Sequence, residues 1–434
     1  MRKFIGSPRG LMTEGLVLAV LLICLLLNGT GGLVSSPQAA AADGERADVV
    51  DSSGDGAAHK AETGNASGAA VTDSTGEKTE SGAGSAQAES DYIKWVEFDV
   101  TSDALSHACS YDVDTYGKDV HLDWISLLAY LGAKYGGDFS HYKASDMDAL
   151  AEKLINKETT MEALTKDMKY YSYYKEAYDA VLGGMVGEYE LEEAAAGAGG
   201  GGEGATAGAE SVGTSGEGAA GAGVSEEDTA GGVSAGASWK TVYGLKAYSP
   251  IAKTFPYSDF DDFGVSRSYG YRRNHLGHDM MGQVGTPIIA VESGYVAALG
   301  WNQYGGWRIG INSFDGKRYY YYAHLRQNRP YAEGLKEGDI VQAGDVIGYM
   351  GRTGYSKTEN VNNIDTSHLH FGLQLIFDES QREGDHEIWV SGYELVKFLY
   401  KHQSEVVRDD ETKEWSRVVQ IRDPAVEVYK STLK

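Results

Sequence analysis

The sequence predicts a multidomain α + β protein, in which a small N-terminal helical module precedes a mostly antiparallel β-sheet or open barrel. Two acidic, low-complexity stretches flank residues 91–190 and separate the folded parts of the chain. Residues 91–190 carry apolar side chains at helical spacing. From about Trp239 the sequence changes to short runs of aromatic and branched residues between glycine turns, which is typical of β-strands.

Residues 1–42 predict a signal peptide or an N-terminal membrane anchor. Basic residues precede an apolar run from Leu16 to Leu27, which is short for a membrane span and typical of a signal-peptide core. Small residues at 38–42 offer a cleavage site. Without cleavage, the run would anchor the protein with its N-terminus inside. Either alternative places the remaining residues outside the cytoplasm.

The negative charge of the chain is concentrated in the two low-complexity stretches. The formal net charge is −25, and residues 43–90 carry 10 acidic against 3 basic side chains. Residues 187–238 carry 10 acidic side chains and no Lys or Arg. We predict that residues 43–90 and 191–238 are disordered linkers that act as spacers. Because no concentrated basic patch offsets this charge, the sequence argues against nucleic acid as a partner.

Helical spacing within residues 91–190 predicts a module of several short helices. One helix within 121–139 ends at a glycine pair, and the next has Ser145 as its N-cap. Thr159 and Glu162 stand at the spacing of a capping box. A tyrosine-rich helix follows, and its tyrosines are interpreted as packing residues in preference to a carbohydrate- or peptide-binding face. The sequence assigns this module neither a function nor a protein partner.

The C-terminal part predicts short antiparallel strands and a helical tail. Asp315 and Gly316 lie between two strand-like runs, which is a strong hairpin signal. The segment "HLHFGLQLIF" predicts another strand. We place one domain at residues 239–390 and a helical extension at residues 391–434.

Five of the eleven histidines lie between residues 275 and 370, together with one aspartate at a favourable spacing. Side chains alternate along an extended segment, so His275 and Asp279 point to one side, and His368 and His370 share a face. Two such strands could place three ligands on Zn²⁺ and leave a fourth position open, as in catalytic zinc sites. The alternative is that these are ordinary hydrogen-bonded residues of a sheet.

Two further histidines have different predicted places. His278 would face away from the proposed ligands, as an accessory surface or packing residue. His324 shares a predicted strand face with Tyr320 and Tyr322 and could reach the metal site as a catalytic imidazole.

The motifs that surround these histidines resemble those of the lysostaphin-type, or LytM-like, zinc endopeptidases that cut peptidoglycan peptides. The resemblance covers roughly residues 260–378, with the motifs in the order of the family. They are "HLGHDMMGQVGTPIIAVESG", "WNQYGGWRIGI", "YYAHL", "EGDIVQAGDVIGYMGRTG" and "HLHFG".

The resemblance implies a role for each matched residue. His275, Asp279 and His370 would be the ligands of one Zn²⁺ per chain, and His324 and His368 would be catalytic. Zinc would polarise the scissile carbonyl and lower the pKa of its bound water. One imidazole would take the proton of the water, and the other would hydrogen-bond the oxyanion.

The same resemblance suggests substrate-binding residues. Gly305 and Gly306 would let a peptide backbone approach closely, and Tyr271 and Tyr322 would contact the substrate. The chain departs from the family in the long segment 354–368, which should border the cleft. It also has Gly372 where the family carries an acidic residue, so a contact near the metal could come from Gln374.

These features predict an extracytoplasmic zinc endopeptidase that acts on peptidoglycan, either secreted or anchored at the outer face of a bacterial membrane. Contact with a membrane would be made only through an uncleaved N-terminal segment. The main alternative is a catalytically silent or latent scaffold or activator with the same fold. A third hypothesis makes residues 91–190 a second wall hydrolase of the lysozyme type.

Overall fold

The computed structural model describes residues 94–96, 98–193, 238–268, 272–384 and 386–433. The predicted signal peptide or anchor at 1–42 and the linker at 43–90 lie outside the described residues. Among the helices that the structure does describe, none is both long enough and apolar enough to cross a membrane.

The first folded part is helical, as predicted. Its second helix begins after Asp123, whose side chain accepts a hydrogen bond from Ser126 N, and ends at Gly136 in the left-handed conformation. Its buried face, including Leu127 and Leu131, packs into the core. The helices are α1 (Ser102–Thr115), α2 (Trp124–Tyr135), α3 (Ala144–Ile155), α4 (Met161–Thr165) and α5 (Tyr171–Leu182).

Two predicted helix caps are wrong by one or two residues. Helix α3 begins after Lys143, which makes no side-chain capping bond, so Ser145 lies inside the first turn. Helix α4 is capped by Thr160, which accepts from Ala163 N, and Thr159 lies outside it. Thr159 and Thr160 differ little in intrinsic capping ability, and helix ends located from sequence carry an uncertainty of one or two residues.

The tyrosines of α5 pack against helix α2. Tyr178 is buried, and its ring lies so close to Gly132 that an added Cβ would be 2.8 Å from the hydroxyl oxygen. Tyr174 covers Gly137 in the same way, at 2.7 Å. These two tyrosines therefore serve packing, as interpreted from the sequence, because glycine on the partner helix lets the rings approach.

The second folded part is built on a predominantly antiparallel sheet. In the described residues the strand order is β1-β14-β13-β10-β9-β8-β11, with β6 paired to β13, so the sheet has two edges and does not close into a barrel. The predicted fold class is confirmed. The strands of this sheet are β1 (Lys94–Val96), β6 (His278–Met281), β8 (Gly294–Asn302), β9 (Gly306–Ser313), β10 (Arg318–Ala323), β11 (Ile340–Val341), β13 (His368–Leu375) and β14 (Ile388–Val390).

Smaller strand pairs and two C-terminal helices complete this part. The predicted hairpin at Asp315 and Gly316 joins β9 to β10, and Gly316 takes a positive φ of 72°. The remaining elements are β2 (Val186–Glu193), β3 (Ser238–Leu245), β4 (Ser266–Ser268), β5 (Arg272–Asn274), β7 (Pro287–Ile289), β12 (Val346–Tyr349), β15 (Val406–Arg408), β16 (Trp415–Arg417), β17 (Ile421–Arg422), α6 (Tyr393–Leu399) and α7 (Pro424–Thr432).

The helical part and the sheet share one hydrophobic core. Strand β1 pairs in parallel with β14, and β2 pairs with β3 along its whole length. That pairing places residues 191–193 and 238 in strands, although they were predicted as part of a linker. Glu193 lies opposite Ser238, so the two ends of segment 194–237 are neighbours in one sheet. Residues 98–193 are therefore packed onto the sheet rather than held apart from it by a spacer.

A buried arginine joins the two parts. Arg318 is 1% exposed, and its guanidinium makes hydrogen bonds of 2.9 and 3.0 Å to the carboxylate of Glu292. Its Nη1 donates to Ala180 O in α5 at 3.2 Å. Such a bidentate pair satisfies both buried charges and ties the last turn of α5 to the sheet.

Replacing Arg318 with methionine should strongly destabilise the protein. The substitution leaves the buried Glu292 carboxylate unpaired, which typically costs about 3–5 kcal/mol of unfolding free energy. Urea denaturation followed by circular dichroism measures the change. Lys317→Met is the control, because its ion pair with Asp179 is about half exposed and should contribute about 1 kcal/mol or less. Equal losses in the two variants would contradict the structural role of Arg318.

Candidate metal centre

Two antiparallel strands place the predicted ligands side by side. In the register of β6 and β13, Asp279 lies directly opposite His370. Directly opposed residues in antiparallel strands project to the same face, so these two side chains point together. His275 lies in the loop before β6, and its ring contacts the side chains of both Asp279 and His370. The ligand set that the resemblance implied is therefore brought together in three dimensions.

The three side chains contribute one ligand atom each to a small triangle. His275 Nε2 lies 3.1 Å from Asp279 Oδ1 and 2.9 Å from His370 Nδ1, and His370 Nδ1 lies 2.9 Å from Asp279 Oδ1. Around tetrahedral Zn²⁺ with bonds of about 2.0–2.1 Å, neighbouring ligand atoms are roughly 3.3 Å apart. Both the donor types and the size of the triangle fit zinc.

The protonation of His275 supports a cation at this point. Its Nδ1 faces two oxygens of Asp262, the backbone O and Oδ2, each at 3.1 Å. Oxygen atoms only accept, so Nδ1 carries a proton, and in the neutral ring Nε2 presents a lone pair toward Asp279 Oδ1. Two lone-pair atoms 3.1 Å apart repel each other unless a metal ion or a second ring proton lies between them.

The pKa shifts of Asp279 and His370 favour the forms that bind a metal, an ionised carboxylate and a neutral imidazole, whereas that of His275 favours a second ring proton. Burial raises the pKa of Asp279, but hydrogen bonds to His275 and His370 outweigh it, and the net pKa lies well below the usual range. Burial lowers the pKa of His370 to about 4. Burial also lowers the pKa of His275, but hydrogen bonds to Asp262 and Asp279 outweigh it, and the net shift is upward.

His324 and His368 lie together beside the triangle. Their ring centroids are 4.7 Å apart, and His368 Nε2 lies 3.8 Å from Asp279 Oδ2. His324 Nδ1 lies 2.9 Å from Thr353 O, and His368 Nδ1 lies 2.8 Å from Thr366 O. Both Nδ1 atoms must therefore donate, which leaves both Nε2 atoms available for proton transfer. Burial and the neighbouring histidines hold the pKa of His324 well below its usual value.

A left-handed residue turns His324 toward the metal centre. His324 follows the last residue of β10 with φ of +61°, so the alternation of the strand stops there. Its N–H donates to Gly305 O at 2.8 Å, which fixes this turn. The predicted shared face with Tyr320 and Tyr322 is wrong for that reason.

The prediction that Tyr322 contacts substrate is also wrong. Tyr322 is fully buried, and its hydroxyl accepts from Val291 N at 3.0 Å. Tyr321 takes the face of the site instead, with its ring centroid 6.0 Å from that of His370. Because successive side chains of a strand point to opposite faces, the prediction missed this residue by one position.

The other predicted substrate contacts have different outcomes. Tyr271 lies outside the described residues. Gly305 and Gly306 are buried, and a Cβ on Gly306 would collide with the backbone of Thr353 and Gly354. Glycine is needed here because two loops of the protein approach each other, and contact of these glycines with a peptide stays a prediction.

The two departures from the family pattern have structural explanations. Segment 354–368 borders the site, as expected, because the ring centroid of Tyr355 lies 5.7 Å from that of His324. Gly372 provides space for Trp389, whose ring would clash with an added Cβ. The expected contact of Gln374 near the metal is wrong, because its Nε2 donates to Gln381 O at 2.9 Å and its Oε1 has no hydrogen-bond partner among the described residues.

Two charged residues that the sequence did not predict for this site contact the ligands. Asp262 contacts His275, and Arg267 Nη1 lies 2.8 Å from Asp279 Oδ2. His278, predicted to be an accessory surface or packing residue, is buried, with its Nε2 2.8 Å from Asp259 Oδ2. The acidic run "DFDD" just before the histidine motif was the available signal, but its contacts depend on a loop.

Comparison with known proteins agrees with this geometry. Residues 273–383 match the model of Peptidase family M23, which confirms the resemblance to the lysostaphin-type family in this region. The chain is 38% identical over 124 residues to the L-Ala--D-Glu endopeptidase of Bacillus subtilis (strain 168), covering 29% of this chain and 36% of that protein. It is 39% identical over 98 residues to lysostaphin of Staphylococcus simulans, covering 22% of this chain and 17% of that protein.

One solved structure is also similar to part of this chain. The catalytic domain of the antimicrobial peptidase lysostaphin from Staphylococcus simulans is 31% identical, with 32% of this chain and 92% of that chain covered and a TM-score of 0.26. The chain spans about a third or less of the length of the two curated relatives described above.

Proposed function

We propose that this chain, whose residues 273–383 match a peptidase family, is an exported zinc endopeptidase that hydrolyses peptide bonds of peptidoglycan. The observation that carries the proposal is the convergence of His275, Asp279 and His370 beside two histidines with available Nε2 atoms. Three protein ligands and an open side are the arrangement of catalytic rather than structural zinc.

The roles of the side chains follow from their contacts. His275, Asp279 and His370 would hold zinc, which would act as a Lewis acid on a substrate carbonyl and would lower the pKa of bound water. One of His324 and His368 accepts the proton of the attacking water on Nε2. The other, once protonated on Nε2, donates to the substrate oxygen as negative charge develops. The carbonyls of Thr353 and Thr366 hold both rings in the required tautomer.

The substrate class is proposed from the relatives and from the predicted export. One relative is named for cleaving an L-Ala–D-Glu bond, which supports a peptide of the wall as substrate. Residues 1–42 would direct export or anchor the chain, and residues 43–90 would give it reach from the membrane surface. The catalytic part would comprise residues 239–390, packed against the helices.

The proposal is tested by zinc content and product analysis on the full chain. Purified wild type is expected to hold one zinc and to release wall peptides with new termini, which identify the bond. His370→Ala should lose both properties. His141→Ala, at an 82% exposed histidine of the helical part, is the matched control and should retain both.

Two outcomes would separate the alternatives. Zinc without cleavage of any wall preparation would favour the latent scaffold or activator. A wild-type chain with neither zinc nor cleavage would contradict the enzyme proposal outright.

A further inference from the structure

The two ligands of the histidine motif, His275 and Asp279, belong to a closed ring of four side chains. His275 Nε2 lies 3.1 Å from Asp279 Oδ1, and Asp279 Oδ2 lies 2.8 Å from Arg267 Nη1. Arg267 Nη2 then lies 2.5 Å from Asp262 Oδ2, and that same oxygen lies 3.1 Å from His275 Nδ1. We refer to Asp262, His275, Asp279 and Arg267 as the ligand ring.

We propose that Asp262 is a positioning residue that sets the affinity of the metal centre by coupling His275 to Asp279 through Arg267. The inference rests on the proposed function, because it assumes that the triangle holds zinc. Asp262 touches neither the expected metal position nor the substrate side. It acts on the first ligand directly and on the second through the guanidinium of Arg267.

The first effect of Asp262 is on the orientation of His275. Its Oδ2 and its backbone carbonyl both accept from Nδ1, which holds the proton of the neutral ring on Nδ1 and aims Nε2 at the triangle. Carboxylates that hold a ligating imidazole in this way commonly change metal affinity by about 10–100-fold.

The second effect is on charge. Arg267 binds Asp279 on the oxygen that does not enter the triangle, so it draws negative charge away from a metal ligand. Asp262 shares the same guanidinium and offsets that charge, since both carboxylates are 1% exposed and poorly screened. Asp262, Asp279 and Arg267 together carry a net charge of −1. Replacing Asp262 with a neutral residue would make that net charge zero, and the attraction for a cation would fall.

A buried histidine lies behind the ring. Asp262 Oδ1 and His278 Nδ1 have no hydrogen-bond partner in the described residues, and they lie 3.9 Å apart. On its other side, His278 is held by Asp259 at 2.8 Å. His278, which precedes Asp279 in β6, therefore lies between Asp259 and Asp262 and contacts both sides of the loop before the histidine motif.

The test is zinc affinity of the full chain, measured by competition with a chelator of known affinity and without substrate. Asp262→Asn is expected to weaken zinc binding by about 10–100-fold. Asp423→Asn is the matched control, because Asp423 is also buried and paired with a cation, Lys246, away from the triangle. That variant should keep wild-type zinc affinity even where its stability falls.

A second pair of variants tests the coupling itself. If Asp262 acts partly through Arg267, the loss caused by Asp262→Asn should be smaller in an Arg267→Met background than in wild type. An equal loss in both backgrounds, or unchanged affinity in Asp262→Asn, would overturn the proposal. Because no substrate is present, a chain that holds zinc but cleaves nothing would contradict the proposed enzyme while leaving the ring supported.

Discussion

Replacing Asp279 with alanine is expected to release zinc and to abolish hydrolysis of wall peptides. Asp279 Oδ1 lies within 3.1 Å of both other ligand atoms, so its loss leaves only two imidazoles at the site. Partners outside the ligand set typically change affinity by about 10–100-fold, and removal of a ligand should exceed that range. Equilibrium dialysis against zinc, with the release of wall peptides measured in parallel, gives both effects.

Asp423→Ala is the control for that substitution. It removes an aspartate of similar burial whose partner, Lys246, directly follows strand β3 and is not part of the triangle. It should bind one zinc with unchanged affinity. Zinc retained in Asp279→Ala at wild-type affinity would show that the triangle is not the metal centre, and wall lysis retained by that variant would contradict the proposed mechanism.

Replacing His324 with asparagine is expected to lower kcat while leaving zinc in place. The lost imidazole offers an available Nε2 beside the triangle, and proton transfer by a positioned side chain typically contributes about 10²–10⁴-fold. Asparagine is chosen because it tolerates the left-handed conformation that His324 adopts. Rates on a peptide substrate and zinc content are measured on the same preparation.

His107→Asn serves as the control for a partly buried, hydrogen-bonded histidine far from the site. His107 binds Tyr142 and Asp148 within the helical part, so its loss should leave kcat unchanged. A fall in zinc content together with kcat in His324→Asn would show that His324 supports the metal rather than the proton transfer. Unchanged kcat would remove His324 from the mechanism.

The helical part is packed against the C-terminal part and shares its hydrophobic core. Arg318 reaches the carbonyl of Ala180, and strands β1 and β2 both pair with strands of the C-terminal part. Removing residues 98–193 would expose the core that these elements cover. All variants are therefore compared in the full chain, where the shared core remains intact.

Elements with local signals could be predicted from the amino-acid sequence alone. The alternation of side chains in "HLHFG" placed His368 and His370 on one face, and the family motifs implied His275, Asp279 and His370 as ligands. The extended spacing assumed for His275 and Asp279 is wrong, because His275 lies in the loop before β6. The hairpin at Asp315 and Gly316 depended on the conformational freedom of one turn. The strand alternation and the hairpin are set by neighbours within a few residues.

The other features of the site depend on contacts between segments that are distant along the chain. The turn at His324 places this residue on the same side as Tyr321 instead of Tyr322, and it depends on a hydrogen bond to Gly305. The ligand ring depends on a loop that brings Asp262 and Arg267 against the strand of Asp279. The attachment of residues 98–193 depends on strand pairing across segment 194–237. Contacts of this kind arise from packing between distant segments, and no periodicity along the sequence encodes them.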